Sequence, residues 1–197
     1  MKSQMQTGFE GIMFKINTND FVIFYLRKMD LKKMISVGHT KKQCDKIVAY
    51  VGSDQKRFDE LVKFFYDDEY RVVQRAAWPL SYCVVNHPGL IKKHLKKMVQ
   101  NLKKPDLSVA IKRNTVRFLQ YIQIPKSVHG DLMETCFKFL MDPKETIAVR
   151  VFSMSVLANL AKDYPEIKSE LRNILEDQRE TKTAAFRSRA RRILKQL

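Results

Sequence analysis

Four segments of this chain follow one helical pattern at a nearly constant spacing, and that recurrence constrains the fold more than any other feature. They are VQRAAWPLSYCV (73–84), IKRNTVRFLQYI (111–122), VRVFSMSVLANL (149–160) and FRSRARRILKQL (186–197), which start 38, 38 and 37 residues apart. The first, eighth and twelfth positions are apolar: Val73, Leu80, Val84; Ile111, Phe118, Ile122; Val149, Val156, Leu160; Phe186, Ile193, Leu197. The fifth is small: Ala77, Thr115, Ser153, Ala190. At roughly 100° per residue these columns occupy a sector about 60° wide, so each segment reads as a helix with one buried face. A period of this length marks a repeat architecture, because one unit cannot bury its apolar face alone and stacking makes a continuous core.

A second amphipathic helix precedes each of these. Its apolar positions are Phe58, Leu61, Val62 and Phe65; then Ile91, Leu95, Met98, Val99 and Leu102; then Val128, Leu132, Cys136, Phe139 and Leu140; then Ile167, Leu171, Ile174 and Leu175. Breakers separate the helices: Asp67-Asp68, Lys104-Pro105-Asp106 and Asp142-Pro143 inside pairs, His87-Pro88, Ile124-Pro125 and Tyr164-Pro165 between them. Proline cannot continue a helix, so punctuation and periodicity agree. Six glycines and six prolines in 197 residues are too few for the turns of an all-β sandwich. The fold class is all-α.

On these residues the chain resembles the HEAT-repeat family, whose units carry an Asp/Pro turn followed by a Val-Arg-x-x-Ala-Ala pattern. Leu140-Met141-Asp142-Pro143 with Val149-Arg150, and Val73-Gln74-Arg75-Ala76-Ala77, carry the likeness, which covers about residues 54–197. The arginine column reads Gln74, Lys112, Arg150 and Arg187, and Asn114 stands where the family prefers alanine. The resemblance implies an α-α superhelix, a right-handed solenoid of about four helix pairs whose second helices line a concave surface. The expected repeats are about 54–88, 89–125, 126–165 and 166–197, within one domain spanning 29–197. Residues 29–53, with Leu31, Met34, Ile35, Cys44, Ile47, Val48 and Val51 at helical spacing, are expected to form a cap of one or two helices. Residues 1–28 fit no repeat and are expected to be an N-terminal extension, disordered or carrying a helix capped by Asn17-Thr18-Asn19-Asp20, with Met29 as a candidate natural start.

Cys44, Cys83 and Cys136 are odd in number, far apart and flanked by apolar residues, which argues against a disulfide framework or a metal-binding CxxC. Buried thiols in a reducing compartment are expected. The longest apolar run, Phe21 to Leu26, is far below the roughly 20 residues of a membrane span. The first residues, MKSQMQTGFEGIMF, carry no apolar segment of signal-peptide length, and the expected location is the cytoplasm.

Catalysis requires convergent groups, and the usual signatures are missing: no Walker loop, GxGxxG, HExxH or GxSxG. His39, His87, His94 and His129 lie in different repeats or turns without metal-ligand spacing, so no metal or other cofactor is expected. Asp67-Asp68 and Glu166 with Glu170 read as helix-end residues. Chains that look like this one sometimes carry the label of an adenylosuccinate lyase. That family's serine-bearing GSSxMPxKxN loop has no counterpart here. HEAT-like glycosylases of alkylated bases need an acid among the groove aromatics, and the outward positions supply none. The chain reads as a non-enzyme with no small-molecule substrate.

The net charge of +16 is concentrated in two runs. Residues 89–117 hold nine Lys/Arg against Asp106 alone, and residues 179–197 hold seven against Glu180 alone. Localised positive charge attracts polyanions and speeds encounter. The outward positions of the second helices give a candidate groove of Arg75, Trp78, Tyr82, Arg113, Val116, Arg117, Met154, Arg191, Arg192 and Lys195. Trp, Tyr, Met and Arg are enriched at binding interfaces. Trp78, Val116 and Met154 occupy one column, which fits packing between neighbouring repeats equally well. Pro79 removes a backbone bond to the carbonyl of Arg75, so a kink beside Trp78 is expected.

Two functional readings follow. In the first, the concave face holds a protein or peptide segment. In the alternative, basic clusters contact nucleic-acid phosphates, through Lys92, Lys93, Lys96 and Lys97 on a first helix and through Arg187 and Arg189 near the C-terminus.

Overall fold

The computed structural model describes residues 30–66, 69–179 and 183–197. The expectations for residues 1–28 and for the Asp67-Asp68 breaker lie outside the described residues. Among these there are ten α-helices and no strand. They are α1 (Leu31–Val37), α2 (Lys41–Val51), α3 (Gln55–Phe65), α4 (Tyr70–Asn86), α5 (Lys92–Asn101), α6 (Val109–Leu119), α7 (His129–Met141), α8 (Ile147–Leu160), α9 (Lys168–Arg179) and α10 (Ala184–Leu194). Single 3₁₀ turns at Lys126–Val128 and Pro165–Ile167 lead into α7 and α9.

Short polar side chains start these helices by accepting otherwise orphaned N–H groups. Thr40 accepts from Gln43 N, Asp54 from Lys56 N and Arg57 N, and Ser108 from Ala110 N. Thr146 and Thr183 do the same for Val149 N and Phe186 N. Gly52 ends α2 at φ 49, a left-handed backbone that favours glycine, and its N–H closes onto Val48 O.

The second helices of the repeats form one continuous stack: α4 packs on α6, α6 on α8 and α8 on α10. The first helices form the other layer, with α3 on α4, α7 on α8, α9 on α10, and α5 against α7. At the N-terminal end α1 and α2 both pack on α4, covering the face that a further repeat would cover. The fold is therefore an all-α, α-α superhelix.

The small fifth column sits at the tightest place. Ala77, Thr115, Ser153 and Ala190 are each 0% exposed, and the helices could not approach as closely around larger side chains. The apolar columns beside it are buried except at Ile122 and Leu197. The helix over 111–122 stops early, at Leu119. Pro125 disfavours helical geometry at Ile124, and two β-branched isoleucines precede it, so Tyr121 and Ile122 leave the helix. Helix α4, by contrast, runs through Pro79 without a break.

His129 fastens this irregular crossing. It is 4% exposed, and its ring nitrogens lie 2.8 Å from Ile124 O and 3.1 Å from the Tyr164 hydroxyl. A carbonyl only accepts, so Nε2 carries a proton and donates to Ile124 O, while Nδ1 shares a hydrogen bond with the Tyr164 hydroxyl. His87 is likewise a turn residue, donating its N–H to Cys83 O at the end of α4.

Candidate functional site

Helices α4, α6, α8 and α10 contain no aspartate or glutamate. Every charged side chain on them is basic, and all but Lys112 are arginine. The stacking of second helices therefore gathers one sign of charge onto one layer, while α3, α7 and α9 mix both signs.

At the N-terminal end of this layer Arg75, Trp78 and Tyr82 are half-buried on α4. Arg75 donates from Nη1 to Ser36 O at 2.7 Å and Ile35 O at 3.5 Å, closing the end of α1. The ring of Trp78 lies 5.1 Å from that of His39 at 47°. Tyr82 receives two cations on its ring, Lys41 at 5.1 Å and Arg117 at 5.3 Å, contacts worth about 0.5–1 kcal/mol each at partly exposed sites. Arg113 is exposed and has no acidic partner among the described residues. Partial burial, followed by the charges of Arg113 and Arg75, lowers the pKa of His39. The positive field at this corner thus comes from the guanidinium groups and the Lys41 ammonium.

Two proposed groove residues do not reach the surface. Val116 and Met154 are both 0% exposed, so they pack between the stacked second helices and offer nothing to a partner in this conformation. Their positions turn inward because α6 and α8 each lie between two other second helices of the stack. Trp78 stands in the same column yet keeps exposed surface, since only the cap covers α4 on that side.

Arg189 is tied into the stack. Its Nη1 donates to Ser155 Oγ at 2.6 Å and Gln120 Oε1 at 3.1 Å, while Asn159 Nδ2 donates to Gln120 O at 3.0 Å. This polar ladder links α10, α8 and the end of α6 across the face, so Arg189 braces three repeats and is not a projecting cation. Arg191, Arg192 and Lys195 are exposed at the far end, with no acidic partner among the described residues, and Arg187 is exposed as well.

Four lysines of the other basic run lie in the first-helix layer. Lys92, Lys93, Lys96 and Lys97 are exposed on α5. The run 89–117 is thus divided between layers and partly neutralised. Lys93 pairs with Asp59, Lys103 with Asp131 and Glu134 at 2.9 and 2.8 Å, and Lys112 with Glu145 at 2.7 Å.

His39 and Lys41 were invisible as site residues in the sequence. They belong to the cap, which carries no repeat signal, and only the docking of α1 and α2 on α4 brings them to Trp78 and Tyr82. The cysteines are buried thiols; burial pushes Cys83 and Cys136 up to about 12 and Cys44 to about 11, so none is a ready nucleophile. Among the described residues no cluster of His, Cys, Asp and Glu is placed to hold a metal ion, and no helix is long and apolar enough to cross a membrane.

A family model described as HEAT repeat domain matches residues 31–197. No curated protein and no solved structure matches the chain.

Proposed function

Because the chain belongs to the HEAT repeat family, we propose that it is a non-catalytic scaffold holding an acidic protein segment along the face of its second helices. HEAT repeats commonly serve as protein-interaction scaffolds. The observation that carries the reading is a layer of arginines free of any acidic residue, with Trp78 and Tyr82 half-exposed at one end. Exposed charge pairs contribute only about 0.2–1 kcal/mol each, so Arg113, Arg117, Arg191, Arg192 and Lys195 chiefly steer and register the segment. The half-exposed aromatics supply anchorage, since large rigid side chains bury apolar area at low entropic cost. Buried, unpaired thiols suit a reducing compartment, and the proposed location is the cytoplasm.

Trp78 is the only tryptophan, so its emission reports occupancy of the face directly. Titration with an Asp/Glu-rich peptide bearing one aromatic residue is expected to shift that emission saturably. Arg113→Glu with Arg117→Glu is expected to abolish the shift, and Lys92→Glu with Lys96→Glu on the other layer to leave it nearly unchanged. Equal loss from both pairs, or no shift with any acidic peptide, rules the reading out.

One observation favours a second reading, contact with nucleic-acid phosphates. The second-helix layer is arginine-dominated, and arginine's planar fork suits phosphate oxygens. If about six phosphates are engaged, log K falls with log salt at a slope near −5. Binding to single-stranded or duplex DNA that is absent, or indifferent to salt, excludes it.

A further inference from the structure

The four lysines of α5 do not form one stripe. Lys93 and Lys97, four residues apart and so on one side of the helix, meet Lys63 and Tyr66 from α3 and its end around an open cavity of about 420 Å³. Lys92 lines a different cavity, beside Tyr121 and Lys126. The cluster that reads as a polyanion stripe in the sequence is therefore two separate places.

The α3–α5 cavity is built around Asp59. Its Oδ1 accepts from His94 Nε2 at 2.7 Å and Gln55 Nε2 at 2.8 Å, and its Oδ2 accepts from Lys93 Nζ. Both carboxylate oxygens are thus engaged, and the acid holds one ammonium and one imidazole at the cavity wall. Lys63 and Lys97 are exposed and have no acidic partner among the described residues. Burial pushes the Tyr66 phenol up to about 12, and its hydroxyl oxygen is buried, so Tyr66 forms part of the cavity wall and adds no charge. Three ammonium groups against one carboxylate leave a local excess of two positive charges, presented by two helices to one small space.

We propose that this cavity is a binding site for a phosphoryl dianion, with Lys63 and Lys97 as its direct ligands and Asp59 holding Lys93 and His94 in position. A phosphate monoester carries about −1.5 to −2 charge near neutral pH, which matches the excess, and its three terminal oxygens can be shared among ammonium donors converging from different helices. The cavity is larger than a bare phosphate and leaves room for an organic group on the fourth oxygen. The site is independent of the second-helix face, because every group in it belongs to α3, α5 or the end of α3.

Calorimetric titration of the full chain at low salt with inorganic phosphate, and separately with glycerol phosphate, tests the assignment. One saturable site is expected. The pair Lys63→Gln and Lys97→Gln is expected to weaken it by about tenfold or more, as loss of two charge-assisted contacts implies. Lys92→Gln with Lys96→Gln removes the same charge from the exposed surface and is expected to change affinity by less than about twofold, in line with screened surface charges. Tighter glycerol phosphate identifies the ligand as a phosphomonoester, and tighter inorganic phosphate identifies it as the free ion. Absence of a saturable site for either probe, or equal weakening by the two lysine pairs, overturns the proposal. All four lysines are exposed, so both variants are expected to fold, and unchanged circular dichroism checks this. Neither result bears on the acidic-peptide titration of Trp78.

Discussion

Arg150 donates from Nε to the main-chain carbonyl of Leu140 across 3.0 Å, from a side chain that is only 2% exposed. The contact locks the two helices of one repeat together, because Leu140 lies in the last turn of α7, where carbonyls lack intrahelical donors. The same guanidinium reaches the Gln178 side chain and lies 5.4 Å over the ring of Phe186, so one residue binds its own repeat and the next. Burial works to lower its pKa and Asp142 opposes that, but guanidinium remains charged at any ordinary pH.

Replacing that group strands its acceptors. Arg150→Met is expected to destabilise the chain by about 1–3 kcal/mol, the cost of leaving buried polar groups unpaired. Arg150→Lys should recover only part of this, since a single ammonium cannot reproduce the fork. Urea midpoints of the two variants test the point; a methionine variant as stable as the parent removes the contact from the account of stability.

Lys112 stands in the equivalent column one repeat earlier and reaches forward in the same way. Its Nζ lies 2.7 Å from Glu145 and 5.6 Å over Phe139, and the two charged side chains are only 16% and 5% exposed. Lys112→Ala leaves Glu145 buried without its cation and is expected to cost about 3–5 kcal/mol. Lys112→Met combined with Glu145→Gln should restore most of that, because no uncompensated charge remains. A double variant no more stable than Lys112→Ala contradicts this.

Asp59 confers a pH dependence at the acid end. Partial burial acts against its charge, but hydrogen bonds from Lys93, His94 and Gln55 outweigh it and hold the carboxyl at about 2. The folded pKa lies below the unfolded value of about 3.9, so this stabilisation is present above about pH 4 and is lost as pH falls toward about 2. The side chain is 27% exposed, which limits the effect to about 1 kcal/mol. The stability difference between the parent and Asp59→Asn should shrink as pH falls from about 5 to 2; a constant difference across that range refutes the assignment.

Thr115 points the other way. It is 0% exposed and its Oγ1 has no hydrogen-bond partner among the described residues, so the site accommodates the hydroxyl at a cost. Thr115→Val keeps the shape and removes the polar group, and a gain of about 1 kcal/mol is expected in thermal unfolding. A loss of stability would show that the hydroxyl is satisfied.

The helix pairs, their period and the small column between stacked helices were legible in the chain because each depends on local periodicity: the residues that repeat every 37 or 38 positions are the ones the stack buries. The inventory of the candidate face was legible too, since Arg75, Trp78, Tyr82, Arg113 and Arg117 are placed by register on their own helices. Exposure was not. Trp78, Val116 and Met154 share one column, yet only Trp78 keeps surface, because its helix meets the cap where the others meet full repeats on both sides. The partners of charged groups were equally hidden: Arg189 with Gln120, Lys112 with Glu145, and Lys93 with Asp59 are 69, 33 and 34 residues apart. The chain alone determined where the helices lie, though not the early end of α6, and which side of each helix is apolar, through intrinsic periodicity. Which cations are spent inside the fold and which face a partner was decided only by tertiary structure, because pairing and burial depend on what the neighbouring repeat brings to each side chain.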